Sequence, residues 1–331
     1  MDKRILLAVS SGLLIPYIIP LFFRGTLFRQ EDMGRTAPAP GYSVQTNKES
    51  QTAPRIRLDR GSGQKEWVEL ETYLPSVIAC QIPPDYHKEA LKAQAILART
   101  YIRRQMETAG TSGEIAESAL NLEVSGENRL KTLWGTDLFP SYYRRFEEAV
   151  QETEGITLIW DGQYIDPLFT SVTAGATRPG DGEHPYLISA SCPEDPKVQD
   201  FTQEFTVTPE QAASLVSSIP SEDGSARSVP AEAFPDQVQI VSRDSAGYVT
   251  ELQIGGYLFD GEEVRQAFGL PSACFFMEGS GNDMRITTKG RGHGWGMSQA
   301  EADAKGREGW TAEEIPVSYT HLRAHETLRH L

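Results

Sequence analysis

Glycine at alternate positions in Gly290-Arg291-Gly292-His293-Gly294-Trp295-Gly296-Met297-Ser298-Gln299 constrains this chain more than any other stretch. A residue without a Cβ adopts positive φ readily and lets main chain pass close to a ligand, so the run marks a special loop. Arg291, His293 and Gln299 are the polar side chains left there to act; the structural alternative is a tight glycine turn feeding a helix over 297–305.

Upstream, residues 85–106 carry apolar side chains at Ala90, Leu91, Ala95, Leu97, Ala98 and Ile102, a helical stripe whose entry is fixed by Pro83-Pro84. Among the charges on that helix, Arg99 is the one expected to reach inward. Arg55–Asp59 alternates like a short strand, and Trp67–Leu70 follows after a Gly-Ser-Gly turn. A second helix is predicted over 141–154. Beyond it lies a hairpin, Ile156–Trp160 and Tyr164–Ser171, turned by Asp161-Gly162. Thr208-Pro209-Glu210 opens a further helix, Val238 to Ile254 reads as a second hairpin around Ser245-Ala246-Gly247, and Gly261–Phe268 as a helix. Mixed antiparallel hairpins and helices without a βαβ rhythm place the chain in the α+β class.

The ends differ from this middle. Ile5–Phe23 holds no charge and follows Lys3-Arg4, which predicts a transmembrane helix, with residues 1–4 as a cytoplasmic stub. No small-x-small cleavage site follows, which favours an anchor over a signal peptide. Residues 24–54, polar and proline-rich, are expected to form a disordered linker. The main domain is expected over 55–315, outside the cytoplasm. After Ile315 the pattern breaks: residues 316–331 resemble a foreign, translated adapter tail, of which 317–331 are expected to pack poorly. Three of the six histidines, His321, His325 and His330, lie in it, and a metal site there is disfavoured.

A formal charge of −15 argues against nucleic-acid or anionic-lipid partners, because phosphate recognition needs a basic face. The three cysteines, Cys80, Cys192 and Cys274, leave three arrangements open: a Cys192–Cys274 disulfide, a metal site with His184, or buried free thiols, the last being favoured. No metal or other cofactor is expected.

Leu70-Glu71-Thr72-Tyr73-Leu74, the run Glu89-Ala90-Leu91-Lys92-Ala93-Gln94-Ala95-Ile96-Leu97-Ala98-Arg99-Thr100 and the glycine-rich loop together resemble the stage II sporulation protein D family, peptidoglycan lytic transglycosylases related to amidase enhancers. The resemblance covers about 55–315. It implies a cell-wall protein that contacts glycan strands, in the forespore engulfment space or the cell wall, with a wall amidase or other sporulation hydrolase as a further partner. It also implies that Gln81, Arg99 and His293 line one cleft, with Thr173, Arg291 and Gln299 as further substrate contacts.

One position departs from the family. Active members carry Glu-Met-Pro where this chain has Gln81-Ile82-Pro83, and that glutamate is their acid/base. A lytic transglycosylase protonates the leaving glycosidic oxygen, then takes the proton of the muramic acid C6 hydroxyl so that a 1,6-anhydro ring closes. An amide can do neither. The expectations are a glycan binder with lost or impaired cleavage, an active enzyme using Asp85 or Glu89 as a displaced acid, or a non-enzymatic enhancer of a wall amidase.

Overall fold

The computed structural model describes residues 43–46, 53–59, 65–111, 113–221 and 224–321. The described residues form two compact units, the first holding those up to Pro167 with Thr311–Glu314, the second those of Leu168–Trp310 with Ile315–His321. The expected anchor over 5–23 lies outside the described residues; among those described, no helix is long and apolar enough to cross a membrane.

In the first unit, strand β1 (Ser43–Thr46) pairs antiparallel with β5 (Ile156–Trp160), which continues to β6 (Gln163–Tyr164). The linker expected over 24–54 is therefore corrected at 43–46, where backbone hydrogen bonding to β5 outweighs a composition poor in apolar residues. A second sheet sets β2 (Arg55–Asp59) between β3 (Lys65–Glu69), antiparallel, and β4 (Glu114–Ala116), parallel. Helix α1 (Leu70–Ile78) leads by way of Pro83-Pro84 to α2 (Lys88–Thr108), whose N-cap His87 accepts the Glu89 N–H through Nδ1. Two more helices follow, α3 (Glu127–Trp134) and α4 (Phe139–Glu152).

Helix α2 is the spine of this unit. Besides the predicted stripe it buries Gln94, Arg99 and Thr100, so polar side chains enter the core and must be paired there. Its alanines let α1 and α4 approach closely. Arg145 of α4 donates to Pro84 O and Tyr86 O at 2.5 and 2.6 Å, fixing the turn that leads into α2.

The predicted hairpin after Asp161-Gly162, both at positive φ, is short: β6 ends at Tyr164. In the second unit β7 (Phe169–Thr170) instead pairs parallel with β14 (Met297–Ser298). An antiparallel sheet of β12 (Phe275–Ser280), β13 (Asp283–Lys289) and β8 (Thr202–Val207) shares a core with the sheet of β9 (Val238–Arg243), β10 (Val249–Ile254) and β11 (Tyr257–Asp260). Phe259, Phe275, Met284 and Ile286 are buried there, beside helices α5 (Pro209–Ser217), with its predicted Thr208 cap, and α6 (Gly261–Phe268). Fully burying side chains of this kind stabilises a fold by about 1.5–3 kcal/mol each. Helix α7 (Gln299–Arg307) completes the unit.

The expectation of a loosely packed tail does not hold as far as it is described. A short helix α8 (Glu314–Val317) buries Ile315, Pro316 and Val317, and Tyr319 is 1% exposed. Tyr319 O accepts the Ile188 N–H, the His321 N–H donates to Tyr186 O, and the Tyr319 ring lies 4.3 Å from Lys305 Nζ. An aromatic side chain with a cation to cover packs whatever the origin of its segment. Residues 322–331, with His325 and His330, lie outside the described residues.

Candidate functional site

In the first unit the last turn of α1 runs on through Gln81 and Ile82, whose N–H groups both donate to Ile78 O. Pro83, which has no N–H, stops the ladder there. Gln81 is half-buried, and its Oε1 accepts from Nε2 of the fully buried Gln94 on α2 at 2.8 Å. Glu89, one of the two displaced-acid candidates, is committed on both oxygens. Its Oε1 takes Lys92 Nζ at 2.9 Å and its Oε2 accepts the Ala312 N–H at 2.9 Å. Asp85 is exposed on the turn before α2.

Arg99 is placed where the sequence put it, pointing inward, but its role is corrected. Its Nε and Nη2 make a fork on the two oxygens of Glu71 at 2.8 and 2.7 Å. Nη2 also donates to Val150 O, and Nη1 to Ile156 O and Thr153 Oγ1. Five donors meet protein acceptors, and the residue is 1% exposed, so nothing remains to bind a substrate. The Leu-Glu-x-Tyr-Leu entry and the α2 motif are thus joined by one buried ion pair.

In the second unit the glycine-rich loop closes upon its own fold. At Gly294, φ +88°, a Cβ would come 2.3 Å from Tyr248 Cζ; at Gly296, φ +72°, it would come 1.9 Å from Leu168 O. The glycines serve close approach, as expected, but at these positions what approaches is protein. Arg291 pairs through its backbone with Val172 in both directions. Arg178 N–H donates to Gly294 O, and its guanidinium, paired with Asp244, lies 3.7 Å over the Trp295 ring. Trp295 Nε1 donates to Pro179 O. Half-buried His293 accepts the Trp295 N–H on Nδ1 at 3.1 Å, so its neutral ring carries the proton on Nε2.

Behind this loop sits Asp195, fully buried and not foreseen from the sequence. Its Oδ2 accepts the Thr173 N–H and Oγ1–H, both at 2.6 Å, while Ser298 Oγ, the N-cap of α7, lies 2.8 Å from each oxygen. The carboxyl therefore ties the β7 side of the loop to its exit. Thr173, expected to touch substrate, is fully buried and holds Asp195 instead; Gln299, 1% exposed, is likewise inside. No local pattern singles out Asp195 from Glu194 beside it. Of the six predicted site residues, Gln81 and Arg99 belong to the first unit and Thr173, Arg291, His293 and Gln299 to the second.

Burial lifts the Asp195 carboxyl from an ordinary 3.8 to about 6, against the pull of the Thr173 and Ser298 donors. The folded protein then holds a proton that the unfolded chain has released, so stability is fullest below pH 4 and falls as pH rises through about 6. The loss from this group is about 2–3 kcal/mol. Asp195→Asn, neutral throughout and able to keep one acceptor oxygen on Thr173, should remove that slope. Urea unfolding at pH 4, 5, 6 and 7 reads it; an unchanged slope in the variant would assign it to another group, such as Glu301, which burial also raises.

The three thiols are free, Cys192 and Cys274 buried and Cys80 half-buried. Burial pushes the Cys192 thiol up to about 12, so it is held protonated. Among the described residues no group of three or more His, Cys, Asp or Glu is placed to hold a metal ion.

Fold and site together define a mixed α+β protein with a helix-borne polar constellation in one unit and a self-locked glycine loop in the other. A family model described as Stage II sporulation protein matches residues 59–160, the span of α1, α2 and the Gln81 turn. Stage II sporulation protein D of Bacillus amyloliquefaciens is 29% identical over 325 residues, 93% of this chain and 90% of that protein. Its counterpart in Bacillus subtilis (strain 168) is 28% identical over 327 residues, with the same coverage. An uncharacterized protein of Brachyspira hyodysenteriae is 24% identical over 235 residues, 70% of this chain and 59% of that protein. Residues 59–160 thus match the stage II sporulation protein family model, and over 93% of its length the chain is similar to stage II sporulation protein D of two Bacillus species.

Proposed function

We propose that this protein is a membrane-tethered sporulation protein that binds peptidoglycan glycan strands outside the cytoplasm and has lost most or all lytic transglycosylase activity. The observation that carries the reading is the amide of Gln81, held by Gln94 at the position where active members have their acid. Cleavage needs one group that gives a proton to the glycosidic oxygen and recovers one from the C6 hydroxyl. An amide does neither, and proton transfer is worth about 10²–10⁴-fold. It still donates and accepts hydrogen bonds, so a sugar can be held.

A displaced acid is less well supported. Glu89 is occupied by Lys92 and the Ala312 N–H, a structural assignment, and Asp85 is exposed. The tether rests on the uncharged run Ile5–Phe23.

The test uses a soluble form beginning at Gly41, so that β1 is kept. Incubated with denuded glycan strands, it should co-sediment with them while releasing few or no anhydro-ended products. Absence of co-sedimentation would reject glycan binding and favour the enhancer reading. Abundant anhydro ends would show that another acid is at work.

A further inference from the structure

We propose that a groove beside the β2–β3–β4 sheet of the first unit binds the free lactyl carboxylate of muramic acid on a peptide-stripped glycan strand, an assignment that rests on the glycan-binding reading above. The groove is a hollow of about 440 Å³ whose lining includes Arg57, Lys65, Glu117, Ser118, Asn121 and Val124. That volume lies within the range of small-ligand sites. Register explains how the cations come to face it. Ile56 and Leu58 are buried on the core side of β2, so Arg57 between them stands on the opposite face, with Trp67 across from it on β3 and Ala116 on β4. Lys65, two residues before Trp67, shares that face, and the small Ala116 side chain leaves room beside the guanidinium.

The charges of this hollow are not balanced from within. Arg55, on the same face, is paired with Glu114, but among the described side chains neither Arg57 nor Lys65 has a carboxylate partner. Glu117 is the one acid among the described lining residues, and its Oε1 accepts the Tyr73 O–H at 3.1 Å. Two unpaired cations with the Ser118 hydroxyl and the Asn121 amide form a donor set for an anion, and the planar fork of an arginine matches a carboxylate. A glycan strand offers one such group on every muramic acid, blocked as an amide while the stem peptide is attached and free once it is removed. The groove also lies along the way to Gln81: Val124 in its lining precedes Ser125, which hydrogen-bonds the thiol of Cys80, the neighbour of Gln81. A strand seated at Gln81 thus has further muramic acids to present along the same wall.

Two ligands and two proteins test this, with the full-length chain held in mild detergent. One ligand is peptide-stripped glycan, the other the same glycan with its lactyl carboxyls converted to methylamides. The wild type should bind the first about tenfold more tightly, the worth of roughly one charge-assisted contact, and the difference should shrink as salt rises. Arg57→Gln/Lys65→Gln should bind both with the weaker affinity. Arg57 is half-buried and Lys65 exposed, so melting curves should be unchanged. Should the double variant fail to fold, Lys65→Gln alone should lose part of the preference, and the comparison of ligands on the wild type needs no variant. Equal wild-type affinity for the two glycans, or a preference that the variant keeps, would overturn the proposal and leave glycan binding standing. Peptide-bearing strands bound as tightly as stripped ones, and weakened by the same variant, would assign the groove to stem-peptide carboxylates and overturn the lactyl assignment. Binding of neither glycan would overturn the glycan-binding reading and this one with it.

Discussion

Gln81→Glu should raise the release of anhydro-muropeptides from denuded glycan at least about 10²-fold over the wild type. The change is nearly isosteric and occurs on a turn already fixed by the Ile78 carbonyl, Pro83 and the Arg145 contacts, so the backbone need not move. It replaces Nε2, which is neither a useful acid nor a useful base near neutral pH, by an oxygen that can carry and release a proton. Gln94 remains able to donate to the inner oxygen. The measurement is single-turnover product analysis of both proteins side by side, with melting curves to show that the new carboxyl is tolerated. Equal wild-type and variant rates would place the acid elsewhere. Binding without turnover in the variant would mean that a second catalytic group is missing as well.

Arg99→Leu should destabilise the protein by about 3 kcal/mol or more. Removing one partner of a buried pair typically costs 3–5 kcal/mol because the other is left without compensation. Here the loss falls on the Val150 and Ile156 carbonyls and Thr153 as well as on Glu71. Glu71 keeps a third of its side chain in contact with solvent, which holds the expected figure at the low end. Arg99→Lys, which keeps the charge but not the fork, should lose less. Urea unfolding distinguishes this from a substrate role: if Arg99 were a sugar ligand, Arg99→Leu would unfold like the wild type and lose glycan binding. Glu71→Gln should fall in the same direction by a smaller amount, since a single amide oxygen can still accept from one arm of the guanidinium.

Much of the architecture was legible in local pattern. The bounds of α6 coincide with the predicted 261–268, the Thr208 cap opens α5, and Asp161-Gly162 turns the β5–β6 connection, because capping and positive φ are properties of a few adjacent residues. Sequence also marked Gln81 as the departure from the motif it resembles. It could not see β1 on β5, or Phe169–Thr170 leaving the predicted hairpin to pair with Met297–Ser298, since both join residues more than a hundred positions apart. The tail misled for a related reason: loss of a familiar pattern says nothing about whether Tyr319 finds Lys305.

The same division runs through the site. By itself the sequence determined the α+β class, the likeness to stage II sporulation protein D, the inward direction of Arg99 and the amide at position 81, all consequences of residue type and short-range spacing. Only the tertiary structure decided what those residues do. Arg99 and Thr173 are polar groups of the kind that bind ligands, yet each is consumed by a carboxyl group, half-buried Glu71 for the one and fully buried Asp195 for the other. A buried polar group must be paired, and which group pairs it is settled by chain segments that meet in space from far apart in sequence.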